Sequence, residues 1–365
     1  MMNSPLNRRD FFLGSTTVAG LALAGCATTP RLAPCTPLPR VNIDPSRIIR
    51  TSVGLRPYRR SGFVVRRESV GGKVLVHNYG HGGAGISLSW GSSRLATALG
   101  LQGHSGAVAV IGSGVMGLTT ARLVQEAGFP VTIYAKDFPP NTTSNASGGQ
   151  ISPFGHYREG FVTPEWQQQF KAAMDYSWQR FQIMVGERYG IGWRTTYEQG
   201  HDEPGPMDPY RPNQRMAGKQ AHPFPIDDVT IYDTMYVDVS RYLEQLFADI
   251  REYGGVMRLR EFADAASLAE LPEPLIFNCT GIGARELFGD EELQPIRGQV
   301  LVLQPQPEVR YSASGGWGYM FSNPGGILLG GTWDRGVWDM TPSQSDTARV
   351  LASHQRFFSS VRCTA

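Results

Sequence analysis

The chain has 365 residues, with 34 basic against 32 acidic side chains and 41% hydrophobic residues. The nearly balanced charge argues against a nucleic-acid binder, in which Lys and Arg cluster on one face. The length suffices for one large domain or for two interlocked domains that enclose a pocket.

Residues 1–26 form a predicted targeting segment, which is excluded from the fold. Arg8-Arg9-Asp10-Phe11-Phe12-Leu13 resembles a twin-arginine export signal, and Leu23-Ala24-Gly25-Cys26 resembles a lipobox. The alternative is a short membrane helix, but the apolar stretch is far shorter than the ~20 residues that a membrane span requires. We therefore expect export by the twin-arginine route to the periplasmic or cell-surface face, with membrane association through a lipidated Cys26.

The next elements, in chain order, predict a parallel sheet. Residues 27–45 have no periodic pattern and are predicted to be a linker. A strand–helix–strand order then follows, which is typical of a doubly wound α/β fold. The elements are a strand at Val74–Val76, a helix at Ser92–Leu99, a strand at Val108–Ile111, a helix at Met116–Glu126 and a strand at Val131–Tyr134.

The second half of the chain contains further helices and strands around an irregular region. Residues 200–228 are rich in Pro and charge and are predicted to form loops. The predicted elements are helices at Trp166–Val185 and Val239–Glu252, and strands at Leu275–Phe277, Gln299–Leu303 and Gly326–Thr332.

A glycine-rich turn connects the strand at Val108–Ile111 to the next helix. Its sequence is Gly112-Ser113-Gly114-Val115-Met116-Gly117. In this context the glycines allow a tight turn, a close approach of backbone to pyrophosphate and close helix–strand packing. Asp137, ~20 residues later, is placed to bind ribose hydroxyls, although Lys136 precedes it and a solvated loop charge is the alternative. The turn predicts a dinucleotide site.

Several other segments resemble the D-amino acid oxidase family. The most specific are Gly54-Leu55-Arg56-Pro57 and His77-Asn78-Tyr79-Gly80-His81-Gly82-Gly83-Ala84-Gly85. Further matches lie at Tyr134-Ala135-Lys136-Asp137-Phe138-Pro139, Thr142-Thr143-Ser144, Gly148-Gly149, Asn278-Cys279-Thr280-Gly281, Arg297-Gly298-Gln299, Tyr319 and Gly330-Gly331-Thr332-Trp333. The resemblance implies an α/β fold in which a Rossmann-like FAD-binding domain with a parallel sheet is interleaved with a substrate domain built on a mixed or antiparallel sheet.

The order of these motifs differs from that of the family. The arginine and histidine–glycine motifs, which come last in the family, come first here, so the chain is expected to be circularly permuted. The expected ranges are 46–100 for the segment equivalent to the family C-terminus, 107–165 and 232–296 for the FAD domain, 166–231 and 297–345 for the substrate domain, and 346–365 for a C-terminal helix and the new terminus.

The permuted order predicts that residues near 40 and near 360 are neighbours. Cys35 and Cys363 would then be placed to form a disulfide in an oxidising compartment; two unpaired thiols on frayed ends are the alternative. Cys279 lies in an apolar strand and is expected to be a buried free thiol.

The resemblance also implies roles for individual residues. Arg56 would bind the substrate α-carboxylate with its planar guanidinium, Tyr319 would donate to the same carboxylate, and the Gly83 carbonyl would accept from the substrate amine. Arg59 and Arg60 are expected to be solvated. The predicted cofactor-binding residues are Gly112, Gly114, Val115, Met116, Gly117, Lys136, Asp137, Thr142, Thr143, Ser144, Gly149, Gln150, Thr280 and Gly281, together with Gly82, Gly83, Ala84, Gly85, Ile86 and Ser87, whose N–H groups from Gly82 to Ile86 would face the flavin.

His81 is expected to be structural, because in the family no side chain acts as a base. There the Cα hydrogen leaves as a hydride to the flavin, and the protein positions the substrate. The histidines show no metal-ligand spacing, so no metal is expected. The lid tyrosine of many family members is absent, and Trp317 or Tyr311 are candidates to replace it.

The expected reaction converts a D-amino acid, oxygen and water into a 2-oxo acid, ammonia and hydrogen peroxide. The alternatives are an FAD-dependent dehydrogenase that reduces a quinone, an oxidase of glycine or a secondary amine, and a non-catalytic FAD-binding lipoprotein. The preferred amino acid and the oligomeric state are left open, with a dimer as one option.

Overall fold

The computed structural model describes residues 35–200 and 205–363. These residues form two sheets and six α-helices. The strands are β1 (Ile48–Tyr58), β2 (Val64–Val70), β3 (Lys73–Tyr79), β4 (Val108–Ile111), β5 (Val131–Ala135), β6 (Ile191–Gln199), β7 (Arg215–Gly218), β8 (Asp228–Val237), β9 (Val256–Leu259), β10 (Leu275–Asn278), β11 (Gln294–Leu303), β12 (Tyr311–Gly315), β13 (Gly318–Asn323), β14 (Gly326–Gly330) and β15 (Asp334–Arg335). The helices are α1 (Gly85–Leu101), α2 (Val115–Glu126), α3 (Pro164–Ile183), α4 (Val239–Glu252), α5 (Ala284–Phe288) and α6 (Gln344–Ser359).

The first sheet has the strand order β2-β3-β10-β4-β5-β9. All neighbours are parallel except β2 and β3. Every residue of β4 is buried, as expected for a strand of a parallel sheet that is covered on both faces. Because β3 pairs with β10, the segment that precedes β4 in sequence is part of this sheet.

The second sheet is mixed. Its strand order is β1-β11-β14-β13-β12-β6-β8-β7, with β15 also paired to β11. The pairs are antiparallel except for β12 with β6. The predicted α/β fold is confirmed, with one sheet that is parallel apart from its edge strand β2 and one mixed sheet.

Helix α1 begins at Gly85, seven residues before the predicted start at Ser92. Glycine and serine disfavour helix in the first two turns, so the sequence pattern missed them, and tertiary packing overrides this preference. At Gly91 the helix meets α3 so closely that a Cβ would lie 1.8 Å from the Ala173 carbonyl oxygen. The Gly91 N–H donates to the Ser177 hydroxyl at 2.8 Å.

The expected domain boundaries do not coincide with the ends of elements. The boundary at 231/232 falls inside β8 and the boundary at 296/297 falls inside β11. Helix α3, expected in the substrate domain, shares the hydrophobic core of α1, α2 and α4. Sequence periodicity identified this helix but not the surface on which it packs.

Residues 35–45 are not a free linker, so that prediction is wrong for its described part. Val41 and Ile43 are buried in the core beneath the mixed sheet, with Phe357 and Phe358 of α6. Their apolar side chains are separated by one polar residue, a pattern too short to predict packing. The predicted loop region likewise contains β7 and a short 3-10 helix, Asp208–Tyr210.

The two ends of the described chain are neighbours, as predicted. The Leu38 N–H donates to the Cys363 carbonyl oxygen at 3.2 Å, and the Gln355 amide donates to the Ile43 carbonyl oxygen at 2.8 Å. Cys35 and Cys363 form the predicted disulfide, and Cys279 is a buried free thiol whose pKa burial raises to about 12. Within residues 35–200 and 205–363, no helix is both long enough and apolar enough to cross a bilayer.

The disulfide predicts a stability difference. Because a cross-link between residues so distant in sequence restricts the unfolded chain, Cys363→Ser should lower the free energy of unfolding by about 2–5 kcal/mol in urea titrations. Reduced wild type should match the variant, and reductant should leave the variant unchanged. Equal stability of oxidised wild type and variant would contradict the prediction.

Candidate active site

A cavity of about 1810 Å³ lies between the two sheets. Its lining includes residues that follow the carboxyl ends of all five parallel strands, and Gly54, Arg56, Gly298 and Tyr319 of the mixed sheet. Ligands of doubly wound sheets bind in the crevice at the carboxyl ends of the strands. The volume exceeds the roughly 300–1,000 Å³ of ordinary small-molecule pockets and suits a large cofactor together with a substrate.

The predicted glycine-rich turn connects β4 to α2 at one wall of the cavity. Gly112 has φ +104°, and a Cβ there would lie 2.5 Å from the Cys279 carbonyl oxygen, so the turn requires glycine. Gly114 is the N-cap residue of α2. The positive end of the α2 dipole therefore faces the cavity, an arrangement that favours phosphate. The Val115 N–H, the first of the helix, donates to the Ser144 hydroxyl at 3.0 Å.

The N-termini of α1 and α2 converge in the cavity. A Cβ on Gly85, the first residue of α1, would lie 3.8 Å from Val115 Cγ1 and 4.0 Å from Met116 Cε. Two helix dipoles thus point their positive ends at neighbouring parts of one site, and both favour negative charge on the ligand.

Arg56 extends from β1 into the cavity over Gly298 of β11. A Cβ on Gly298 would lie 2.2 Å from Arg56 Nη1, so glycine is required there for the guanidinium to fit. The Trp333 ring centroid is 4.7 Å from Arg56 Cζ. Nη1 is buried and has no hydrogen-bond partner among the described residues. A buried charged donor without a partner is costly and marks a position that a ligand oxygen fits.

The neighbouring arginines show that Arg56 is exceptional. Arg59 donates to the carboxylates of Asp290 at 2.8 Å and Glu292 at 2.9 Å, and its side chain is 14% exposed. The prediction that Arg59 is solvated is therefore wrong, because it joins β1 to the loop that precedes β11. Arg60 is exposed, as predicted.

Tyr319 and Gly83 line the same cavity as Arg56. A Cβ on Gly83 would lie 3.4 Å from Arg56 Cδ, which places the Gly83 backbone beside the arginine. Tyr319 lies on Gly330 of β14, where a Cβ would come 2.3 Å from the tyrosine hydroxyl, and its ring stacks on Phe321. The structure thus brings all three predicted catalytic residues to one cavity.

Comparison with known families matches residues 107–364 to the DAO family, described as FAD dependent oxidoreductase. The chain belongs to this family. It is an FAD-dependent oxidoreductase, and its cofactor is FAD.

Individual relatives agree on the family and differ in their named substrates. D-amino-acid oxidase of Dictyostelium discoideum is 28% identical over 249 residues, 66% of this chain and 70% of that protein. D-aspartate oxidase of Homo sapiens is 28% identical over 257 residues, 67% of this chain and 74% of that protein. The crystal structure of glycine oxidase from Bacillus cereus has a TM-score of 0.52 at 14% identity and covers 72% of this chain and 81% of that chain, a likeness of fold.

Most of the predicted FAD-binding residues line the cavity. Ala84, Ser87 and Gly117 lie behind its wall; the Ser87 hydroxyl donates to the Gln150 carbonyl oxygen and accepts from the Ser152 N–H. Those that line it are Gly82, Gly83, Gly85, Ile86, Gly112, Gly114, Val115, Met116, Lys136, Asp137, Thr142, Thr143, Ser144, Gly149, Gln150, Thr280 and Gly281.

The predicted row of N–H groups facing the flavin is wrong at two positions. The Gly82 N–H donates to the Pro57 carbonyl oxygen at 2.8 Å, and the Ala84 N–H donates to the His81 carbonyl oxygen at 2.9 Å. These bonds fold the loop onto the end of β1. The N–H groups of Gly85 and Ile86, in the first turn of α1, remain from the predicted row and form the positive end of that helix.

The predicted ribose end of the site is exposed. Lys136 and Asp137 line the cavity edge, and Lys136 forms an exposed ion pair with Glu261 at 3.8 Å. The Asp137 carbonyl oxygen accepts a hydrogen bond from the Ser113 hydroxyl, which fixes the backbone of this loop beside the glycine turn. Both alternatives for the Asp137 carboxylate, a ribose ligand and a solvated charge, fit this position.

The candidates for a replacement lid are wrong. The Trp317 ring stacks on Phe357 at 4.0 Å, and the Tyr311 hydroxyl donates to the Pro39 carbonyl oxygen at 3.0 Å. Both side chains pack in the core beneath the mixed sheet because α6 and the N-terminal segment cover that face. The large apolar side chains that do line the cavity and are exposed are Phe154, Trp333, Trp338 and Met340.

Three polar residues of the wall, Glu198, Arg211 and Tyr232, were not predicted from the sequence and lie beside the predicted Gln150. The Gln150 amide donates to the Tyr232 hydroxyl at 3.3 Å, and this hydroxyl donates to the Glu198 carboxylate at 3.0 Å. Arg211 lies 3.4 Å from the same carboxylate. A charged residue at the end of a strand, as at Glu198 in β6, is the one sequence signal that could have indicated this cluster.

His81 and His156 are buried and neutral. Burial lowers the pKa of each to about 3. Among the described residues, Nε2 of His81 and both ring nitrogens of His156 have no hydrogen-bond partner. The His81 ring stacks on Phe63 at 5.0 Å. A histidine held neutral in an aromatic cluster fits the structural role expected for His81. In the described part of the chain no group of side chains is arranged to bind a metal.

These histidines predict a pH dependence of stability. Below pH ~6.5 the unfolded chain takes up protons at both residues while the folded chain does not, so stability should fall as the pH decreases toward ~3. Each histidine contributes at most about 1.4 kcal/mol per pH unit. In urea titrations, His156→Phe should reduce the slope of the unfolding free energy against pH below pH 6 and leave it unchanged above pH 7.5. Identical slopes for wild type and variant at every pH would contradict the account.

Proposed function

We propose that this FAD-dependent oxidoreductase oxidises D-amino acids with oxygen and water to 2-oxo acids, ammonia and hydrogen peroxide. The observation that carries the proposal is the buried, unpaired Nη1 of Arg56 beside Gly83 in a cavity whose walls suit FAD. A planar guanidinium with free donors is the group that proteins use to bind and orient a carboxylate. Relatives named D-amino-acid oxidase and D-aspartate oxidase support an α-amino acid of D configuration.

Two side chains and one backbone carbonyl of the cavity then orient the substrate. Arg56 binds the carboxylate, the Tyr319 hydroxyl is a second donor, and the Gly83 carbonyl accepts from the amine. When bound, FAD supplies the hydride acceptor. No side chain need act as a base. Burial keeps His81 neutral, and its role is structural. Positioning of this kind lowers the barrier because the reacting atoms meet in a single orientation.

Arg56 provides the direct test. Arg56→Met should lower kcat/KM for D-alanine and D-phenylalanine about 10²- to 10⁴-fold, because a buried charge-assisted pair with the substrate is lost. The kcat/KM of Arg56→Lys should lie between those of wild type and Arg56→Met, because an ammonium point charge replaces the two-pronged guanidinium. Arg60→Met is the matched control, because Arg60 is exposed and does not line the cavity. Peroxide formation and anaerobic bleaching of the flavin are the measurements.

The same assays separate the alternative functions. Wild-type kcat/KM in Arg56→Met would contradict the proposed role of the arginine. Preference for glycine or sarcosine would indicate an oxidase of those amines, and bleaching without peroxide in air would indicate a dehydrogenase. If no amine bleaches the flavin, the result would indicate a non-catalytic FAD-binding lipoprotein.

We infer that the chain is circularly permuted relative to the family. The family match begins at residue 107, whereas Arg56, β3 and α1 lie before it. Strand β3 nevertheless pairs with β10 of the parallel sheet, and Arg56 reaches the cavity. The Cys35–Cys363 disulfide joins the two ends that a permutation would open.

We further propose export by the twin-arginine route and a lipid anchor at Cys26, with the protein on the periplasmic or cell-surface face. These residues lie outside the described part of the chain, and the proposal rests on their sequence and on a disulfide suited to an oxidising compartment.

The anchor has a simple test. Wild type should partition into the detergent phase of Triton X-114 and take up labelled palmitate, because acyl chains bury in detergent. Cys26→Ser should stay aqueous and unlabelled. Cys279→Ser is the matched control and should behave as wild type. Aqueous, unlabelled wild type would overturn the anchor.

A further inference from the structure

Arg56 is held in the cavity by an aromatic ring rather than by an acid. Its Cζ lies 4.7 Å from the Trp333 ring centroid, and no carboxylate pairs with it among the residues that the structure describes. Arg59, three residues later, has two carboxylate partners. A ring face attracts a cation without accepting its in-plane N–H groups, so Trp333 orders the guanidinium and leaves its donors free.

Trp333 is itself fixed by backbone at the edge of its ring. Gly155 lies against the indole, and a Cβ there would come 2.9 Å from Trp333 Cη2. Gly155 also has φ +61°, a conformation that glycine adopts without strain. The ring is 38% exposed at the cavity, so its place depends on neighbouring backbone rather than on deep burial.

The segment that follows Trp333 is clamped to β11 by Arg297, whose side chain is 5% exposed. Arg297 donates to the Asp334 carboxylate at 3.2 Å, to the Asp339 carbonyl oxygen at 2.8 Å and to the Thr341 carbonyl oxygen at 2.9 Å. Strand β11 also carries Gly298, on which the Arg56 guanidinium lies. One strand therefore sets the position of both the arginine and the ring above it.

We propose that Trp333 is a positioning residue for the substrate carboxylate, acting through Arg56, and that Arg297 holds the segment that carries it. The inference rests on the proposed role of Arg56 in carboxylate binding. Trp333 keeps the guanidinium plane in one orientation, so that the buried Nη1 and its neighbour present a fork to a carboxylate without first leaving an acidic partner.

The test measures binding of benzoate, a carboxylate probe, to the FAD-loaded protein by the change in flavin absorbance. Trp333→Leu should raise the benzoate Kd about 3- to 20-fold and raise KM for D-alanine more than it lowers kcat. Trp333→Phe keeps an aromatic face and should stay within about 3-fold of wild type. Trp193→Leu is the matched control: Trp193 is similarly exposed, at 39%, but does not line the cavity.

A double-mutant cycle decides whether the effect passes through Arg56. In the Arg56→Met background, Trp333→Leu should not weaken benzoate binding further. Equal losses in both backgrounds, or no loss in Trp333→Leu, would overturn the inference. Wild-type benzoate binding by Arg56→Met itself would instead overturn the proposed carboxylate site, so the two failures are distinguishable.

Discussion

The rest of this cavity depends on one constraint: Nη1 of the Arg56 guanidinium is buried, and Arg56 has no acidic partner among the residues that the structure describes. An unsatisfied buried charged donor costs more than about 1–3 kcal/mol, and such groups persist in functional sites. Gly298 gives the Arg56 side chain room and Trp333 gives it an electrostatic partner that leaves Nη1 unpaired. The acids of the same region pair with Arg59 instead. The fold thus pairs Arg59 with carboxylates and leaves Arg56 available to a ligand.

The two sheets contribute different groups to the cavity. The parallel sheet supplies the glycine turn at Gly112 and, with α2, a positive helix terminus that would favour the diphosphate of FAD. Helix α1 directs a second positive terminus at the same site from a segment encoded before that turn. The mixed sheet supplies Arg56 and Tyr319. The residues predicted to bind the cofactor and the substrate therefore meet at the junction of two sheets, although they are encoded in scattered segments.

Much of this arrangement could be predicted from the sequence. The β4–α2–β5 unit has clear periodicity and a specific glycine turn, and the resemblance of single motifs placed Arg56, Tyr319 and Gly83 in one cavity. The start of α1 was missed because its first turns contain glycine and serine, and packing against Ala173 decides their conformation. The burial of Trp317 and the contact of Trp333 with Arg56 depend on which surfaces meet, and a single sequence does not encode that locally.

A crystal structure of the FAD-loaded protein with bound anthranilate would test the central claim most directly. The account predicts that the ligand carboxylate lies about 2.8 Å from Nη1 of Arg56 and near the Tyr319 hydroxyl, with the guanidinium still under Trp333. A carboxylate bound elsewhere in the cavity, or an Arg56 side chain turned away from the flavin to pair with an acid, would contradict it.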